Sequence, residues 1–156
     1  MTHSAITDIL NRLTEISTNL YAYCHHEKCD QPGECPIHHK KCRKKLGLDT
    51  AIAWQAAHQV ESCISHVIAK TEYRQLPTYY RRAIAENYRV LGALLEIVRL
   101  HSKDFAKLDG LVTMAYNLVR DLYYTNLEDE EDVEMLKWKW EKIYGKVNSM
   151  NLSSAL

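Results

Sequence analysis

The densest chemistry in this chain lies between Tyr23 and Arg43, where four of the five cysteines and four of the eight histidines fall together. Cys24, His25, His26, Cys29, Cys35, His38, His39 and Cys42 offer thiolate sulfur and imidazole nitrogen, the donors that soft and borderline metal ions prefer. Pro32, Gly33 and Pro36 keep the stretch out of regular helix, because proline lacks an amide proton and glycine permits a turn. Side chains of these types, gathered in one loop, can converge on a single ion.

Three ligand sets are compatible with the spacing. The first joins Cys24, Cys29, Cys35 and His39 as C-x4-C-x5-C-x3-H, a Cys3His set of the kind that closes a tetrahedral structural zinc site. Its gaps resemble those of CCCH zinc fingers, a family whose small loops bind single-stranded RNA. The resemblance runs only from Cys24 to His39. The first gap is shorter than is common in that family, and the aromatics with which such fingers stack bases are missing from this stretch. The resemblance therefore implies a metal site more than RNA reading. The second set takes Cys24, Cys29, Cys35 and Cys42, four thiolates that suit zinc or an iron–sulfur cluster equally. Cys35-Pro36 echoes the dipeptide that ends some ferredoxin runs. The third recruits His25, His26 or His38 and leaves a cysteine spare. Zinc is the expected cofactor and an iron–sulfur cluster the alternative.

Next to Cys42, the residues Lys40, Lys41, Arg43, Lys44 and Lys45 form a basic run, and Glu128 to Asp132 form an acidic one far along the chain. The plain interpretation of each is a solvated segment. The functional one is that the basic run holds phosphate, or that the two runs meet within or between subunits; a metal loop would orient the basic run and present it to a partner. Tyr79, Tyr80, Arg81, Arg82, Tyr88 and Arg89 interleave aromatic and cationic groups, so Tyr79 and Arg82 are candidate partner contacts. Equally, Tyr80 and Tyr88 fit the edge of a core with solvated arginines around them. Trp138 and Trp140 flank Lys139 and must point to different faces of a helix, which makes the last helix a second candidate interface.

Catalytic constellations fall short. His58 and Glu61 sit three apart with His66 further along, but a di-iron bundle needs Glu-x-x-His in that order on two helices. Cys63 lies on an inward stripe and reads as a small core residue. His101 suits the end of a helix. No phosphate-binding glycine loop, nucleophile elbow or buried carboxylate pair is present. An enzyme is not expected, and neither is a small-molecule substrate.

The elements that must position these groups read as helices. Ser4 is a plausible cap for a helix with Ile6, Ile9, Leu13, Ile16 and Leu20 on one face, running to about His26. Asp49 or Thr50 can cap a second, with Ile52, Ala56, Val60, Cys63 and Val67 inward. Pro77 suits the first turn of a third, carrying Tyr80, Ile84, Leu91, Leu95 and Val98. Ser102 would cap a fourth, with Leu108, Val112, Ala115, Leu118 and Leu122. A fifth follows the acidic run with Val133, Leu136, Trp140, Ile143 and Val147 inward. The expected fold is all-α: one domain over residues 1–156, an antiparallel four- or five-helix bundle, with the Cys/His-rich loop 24–46 between the first two long helices.

With 20 basic and 20 acidic residues and a net charge of zero, no global field favours nucleic acid or membrane. No apolar run is long enough to span a bilayer. The first residues lack the features of an export signal, so a reducing cytoplasm is the expected address. There, clustered cysteines are metal ligands more often than disulfides, and five thiols could not all pair. The expected function is a non-enzymatic, metal-stabilised binding or adaptor module. Its partner would be a protein or a second copy ahead of nucleic acid. An iron–sulfur redox protein or sensor is the alternative.

Overall fold

The structure, a computed structural model, describes residues 2–23, 47–74, 76–101 and 103–147. They form five helices: α1 (Thr2–Tyr23), α2 (Leu48–Glu72), α3 (Pro77–Leu100), α4 (Ala106–Tyr123) and α5 (Glu130–Tyr144). No strand occurs among the described residues. The helical bundle expected from the apolar stripes is therefore what the chain forms.

Named contacts give the directions. Tyr23 meets Asp49 while Tyr21 meets His58, so α1 and α2 run antiparallel. His66 lies by Tyr79 and Gln59 bonds Asn87, which makes α2 and α3 antiparallel as well. Tyr88 stacks near Tyr116 while Arg81 covers Tyr123, repeating the relation for α3 and α4. Lys137 pairs with Asp8 and Arg12 reaches the Gly145 carbonyl, so α5 lies along α1 in the same direction.

α2 touches α1, α3 and α4. It can do so because Ala53, Ala56, Ala57, Val60, Cys63 and Val67 are small or slender and all wholly buried. Leu13, Ile16 and Leu20 of α1, Ile84 and Leu91 of α3, and Leu108, Leu118 and Leu122 of α4 fill the space around it. Each large side chain so buried contributes about 1.5–3 kcal/mol relative to exposure. The expected stripes of the first four helices are thus the observed core, whereas of the fifth stripe Val133, Leu136 and Trp140 are buried and Val147 lies beyond the end of α5.

Helix starts differ from expectation in instructive ways. Ser4 lies inside α1, which already begins at Thr2. α2 begins at Leu48 behind Gly47, whose φ of +92° is the left-handed region that glycine enters freely. Asp49 and Thr50 are consequently inside the first turn and buried rather than capping. Pro77 opens α3 as expected. Ser102 lies outside the described residues, and α4 starts behind Phe105. Asp129 caps α5, its carboxylate accepting the Glu131 N–H at 3.0 Å, with Glu130, Glu131 and Asp132 complementing the helix dipole. Ile143, expected inward, is exposed. At that level α5 turns Tyr144 to α1, where the Arg12 guanidinium lies 5.9 Å from the ring.

Tyr80 is buried with its hydroxyl lacking a hydrogen-bond partner, and burial, with the Cys63 thiol nearby, pushes its ionisation well above the ordinary tyrosine range. Burial likewise pushes the Cys63 thiol up to about 12. Both groups are held neutral, so the folded state binds these protons more tightly than the unfolded chain. Their contribution is intact below the unfolded values, about 8.5 for cysteine and 10 for tyrosine, and is lost as pH rises beyond them. Tyr80→Phe removes an unpaired polar atom and should match or exceed the native stability at neutral pH. Urea unfolding should also show the variant losing less stability than the native chain by about pH 10.5.

Candidate functional site

Every expected metal ligand, Cys24, Cys29, Cys35, His39 and Cys42, lies outside the described residues, and so does the basic run Lys40, Lys41, Arg43, Lys44 and Lys45. The frame from which that segment springs is described. α1 ends at Tyr23 and the chain re-enters at Gly47, so the frame is the C-terminal end of α1 against the N-terminal end of α2.

Tyr23, the last residue of α1, donates its buried hydroxyl to Asp49 Oδ2 at 2.8 Å. The other carboxylate oxygen of Asp49 accepts the Thr50 N–H at 2.9 Å. A carboxylate only 3% exposed is thereby held by two donors, which offsets the cost of its burial. The geometric effect is closure. The described residues on either side of segment 24–46, Tyr23 and Asp49, are held together by this bond, which lowers the loop-closure cost of assembling a ligand set between them.

Half a turn further from the loop, the Tyr21 ring stands edge-on to Trp54 at 5.3 Å and to His58 at 6.0 Å. Its hydroxyl donates to Glu61, and His58 Nδ1 lies 3.4 Å from the same oxygen and 3.7 Å from Glu61 Oε1. Burial first, then the Glu61 carboxylate, raises the pKa of Tyr21, so it stays a neutral donor. The His58–Glu61 spacing is visible in the sequence, but nothing there joins it to Tyr21. The contact spans forty residues and leaves no local signal. The polar trio braces α1 on α2 at the foot of the Cys/His segment.

Among the described residues no group of three or more His, Cys, Asp or Glu side chains is placed to hold a metal ion. His66 stands apart from His58, with its ring 6.4 Å from Tyr79. Tyr79 and Arg82 are exposed at the start of α3. That is the far end of α2: His66 is eighteen residues from Leu48, about 27 Å along the helix. The structure thus places Tyr79 and Arg82 remote from the frame of the Cys/His segment.

The tyrosine–arginine interleaving follows the core-edge interpretation for the two tyrosines, with ring contacts that the sequence did not indicate. Tyr80 is core, whereas Tyr88 is half-buried in a seam with α4, its ring 5.2 Å from Tyr116 and 5.9 Å from Tyr123. Arg81 lies over Tyr123 at 4.7 Å and Arg120 near Tyr116 at 5.8 Å. Gly92 makes room for this stack, because a Cβ there would come within 3.1 Å of the Tyr116 ring. Of the interleaved arginines, Arg81 thus lies on an aromatic face within one chain, whereas Arg82 is exposed and Arg89 pairs with Glu86 at the surface. On α5, Trp140 is buried with its indole N–H donating to Asp121 at 3.1 Å, and Trp138 is exposed, as two tryptophans flanking one residue require.

No helix of the described residues is long and apolar enough to cross a membrane. Comparison with protein-family models, curated proteins and solved structures finds no match to this chain.

Tyr23→Phe should remove one donor from the buried Asp49 carboxylate and lower stability by about 1–3 kcal/mol in urea unfolding. Hydrogen exchange should show the loss first at the start of α2. Fast exchange at the α2–α3 connection instead would show that the bond does not brace this end.

Proposed function

We propose that the chain is a non-enzymatic binding module in which a metal ion, zinc first, organises segment 24–46 and presents the basic run to a macromolecule. The observation that carries this function is the density of soft donors in one short segment whose two ends are held by the Tyr23–Asp49 bond. The donor set fits zinc. Three thiolates with one imidazole, or four thiolates, give tetrahedral coordination with no open position, which suits structure rather than catalysis. Cys24, Cys29 and Cys35 are common to the first two ligand sets, with His39 or Cys42 as the fourth ligand.

The metal's task would be local. Structural zinc at such sites contributes roughly 10–16 kcal/mol, yet the helices bury their own apolar stripes and do not need it to pack. What the ion would add is a fixed direction for Lys40, Lys41, Arg43, Lys44 and Lys45. Thiolate ligation also implies a reducing compartment such as the cytoplasm. A protein partner or a second copy is favoured over nucleic acid by the zero net charge.

Metal analysis of anaerobically purified protein, free of affinity-tag metal, tests the proposal. One colourless zinc per chain is the expected result, and iron with sulfide and visible absorption would turn the function to redox chemistry. Absence of any metal would overturn it. Chelation should loosen residues 24–46 in an NMR amide spectrum and spare α3, α4 and α5, whereas uniform melting would contradict a local role. If the partner is nucleic acid, affinity should fall steeply with salt. Neutralising the five basic residues should flatten that slope.

A further inference from the structure

α5 buries Val133, Leu136 and Trp140 and turns an opposite stripe outward: Glu131, Met135, Trp138 and Lys142. Met135 and Trp138 are 70% and 69% exposed, in a helix that the other described residues cover on one side only. Methionine and tryptophan are the side chains that interface cores favour. Neither Glu131 nor Lys142 forms an ion pair among the described residues. A surface groove of about 800 Å³ lies over this stripe, flanked by Glu134 and Lys139.

The order of the four residues names what fits them. Their spacings are four, three and four, which is symmetric about the midpoint between Leu136 and Lys137. Reversing the helix therefore lays position 131 on 142 and position 135 on 138. Glu131 would face Lys142 of the partner subunit, and Met135 would face Trp138 of the partner subunit. Each contact then occurs twice, as a two-fold isologous interface requires. A parallel pairing would instead set Glu131 against Glu131 and Lys142 against Lys142, which repel.

We propose that a second copy of the chain docks antiparallel on the outer stripe of α5. The inference rests on the chain being a partner-binding module and names one such partner. It makes no use of segment 24–46. The stripe is short, twelve residues spanning about 17 Å along the helix. An interface built on it falls at the small end of specific contacts, below about 1,200 Å² in total, so the dimer is expected to exchange readily with monomer.

Sedimentation equilibrium over micromolar to millimolar concentrations tests it on the full chain. The native chain should show a monomer–dimer equilibrium. Glu131→Lys alone and Lys142→Glu alone should each weaken the dimer about tenfold, since each variant sets two like-charge pairs against one another. An equimolar mixture of the two single variants should recover native affinity, because a mixed antiparallel dimer restores both pairs. Trp138→Ala should abolish association, with unchanged circular dichroism showing that the bundle remains folded. A native chain that stays monomeric at millimolar concentration would overturn the proposal. So would association that ignores the charge reversals, or one that the mixture fails to recover. Metal content measured on the same samples reports on the Cys/His segment independently, so failure of one inference is not mistaken for failure of the other.

Discussion

The constraint on which this bundle depends is the thinness of α2. A helix that must touch three others needs side chains short enough on several sides for them to approach, and α2 supplies Ala53, Ala56, Ala57 and Cys63, with Val60 and Val67 as spacers between them and the larger Ile52 and Trp54 near its start. The bulk is carried by the neighbours, whose leucines and isoleucines fill the gaps around it. Large against small is how an interior reaches crystal-like density without strained rotamers. The same economy places α2 where both ends matter. Its first turn holds Asp49 beneath Tyr23, and its last turns carry Lys70 to Glu128 in the connection before α5.

The helices were legible because amphipathic periodicity is a local property. Ile9, Leu13, Ile16 and Leu20 announce one face of α1 whatever covers it, and Leu108, Val112, Ala115 and Leu122 do the same for α4. α2 was only partly legible, since a buried alanine and a solvent-facing one look alike in sequence; Ala53 and Ala57 went unassigned for that reason. Helix starts were harder still. Asp49 has the chemistry of a cap, but a hydroxyl from another helix claims its carboxylate, and the turn is made instead by a glycine with positive φ.

The candidate site divides along the same line. Cysteine and histidine advertise metal chemistry by type and spacing, so segment 24–46 stood out without any structure. The parts that brace its foot could not be read in advance. Tyr21 and Glu61 are forty residues apart, and Tyr23 and Asp49 twenty-six. Tyrosine is especially ambiguous in this respect, because the same residue type serves here as a buried strut at Tyr23, a cushion for arginine at Tyr123 and an exposed ring at Tyr79. Type names the chemistry available, and only tertiary neighbours decide which part of it is used.

The pairing of α1 with α5 bears on how the chain is made. Arg12 finds the Gly145 carbonyl, 133 positions further along the sequence. A ribosome adding roughly 5–20 residues per second leaves that side of α1 uncovered for on the order of ten seconds after it emerges. During that interval Asp8, Ile9 and Arg12 form an open flank on an otherwise growing bundle. Placing an acid and an arginine on either side of one isoleucine keeps that flank wettable while it waits, a property of the nascent chain and not of the finished fold.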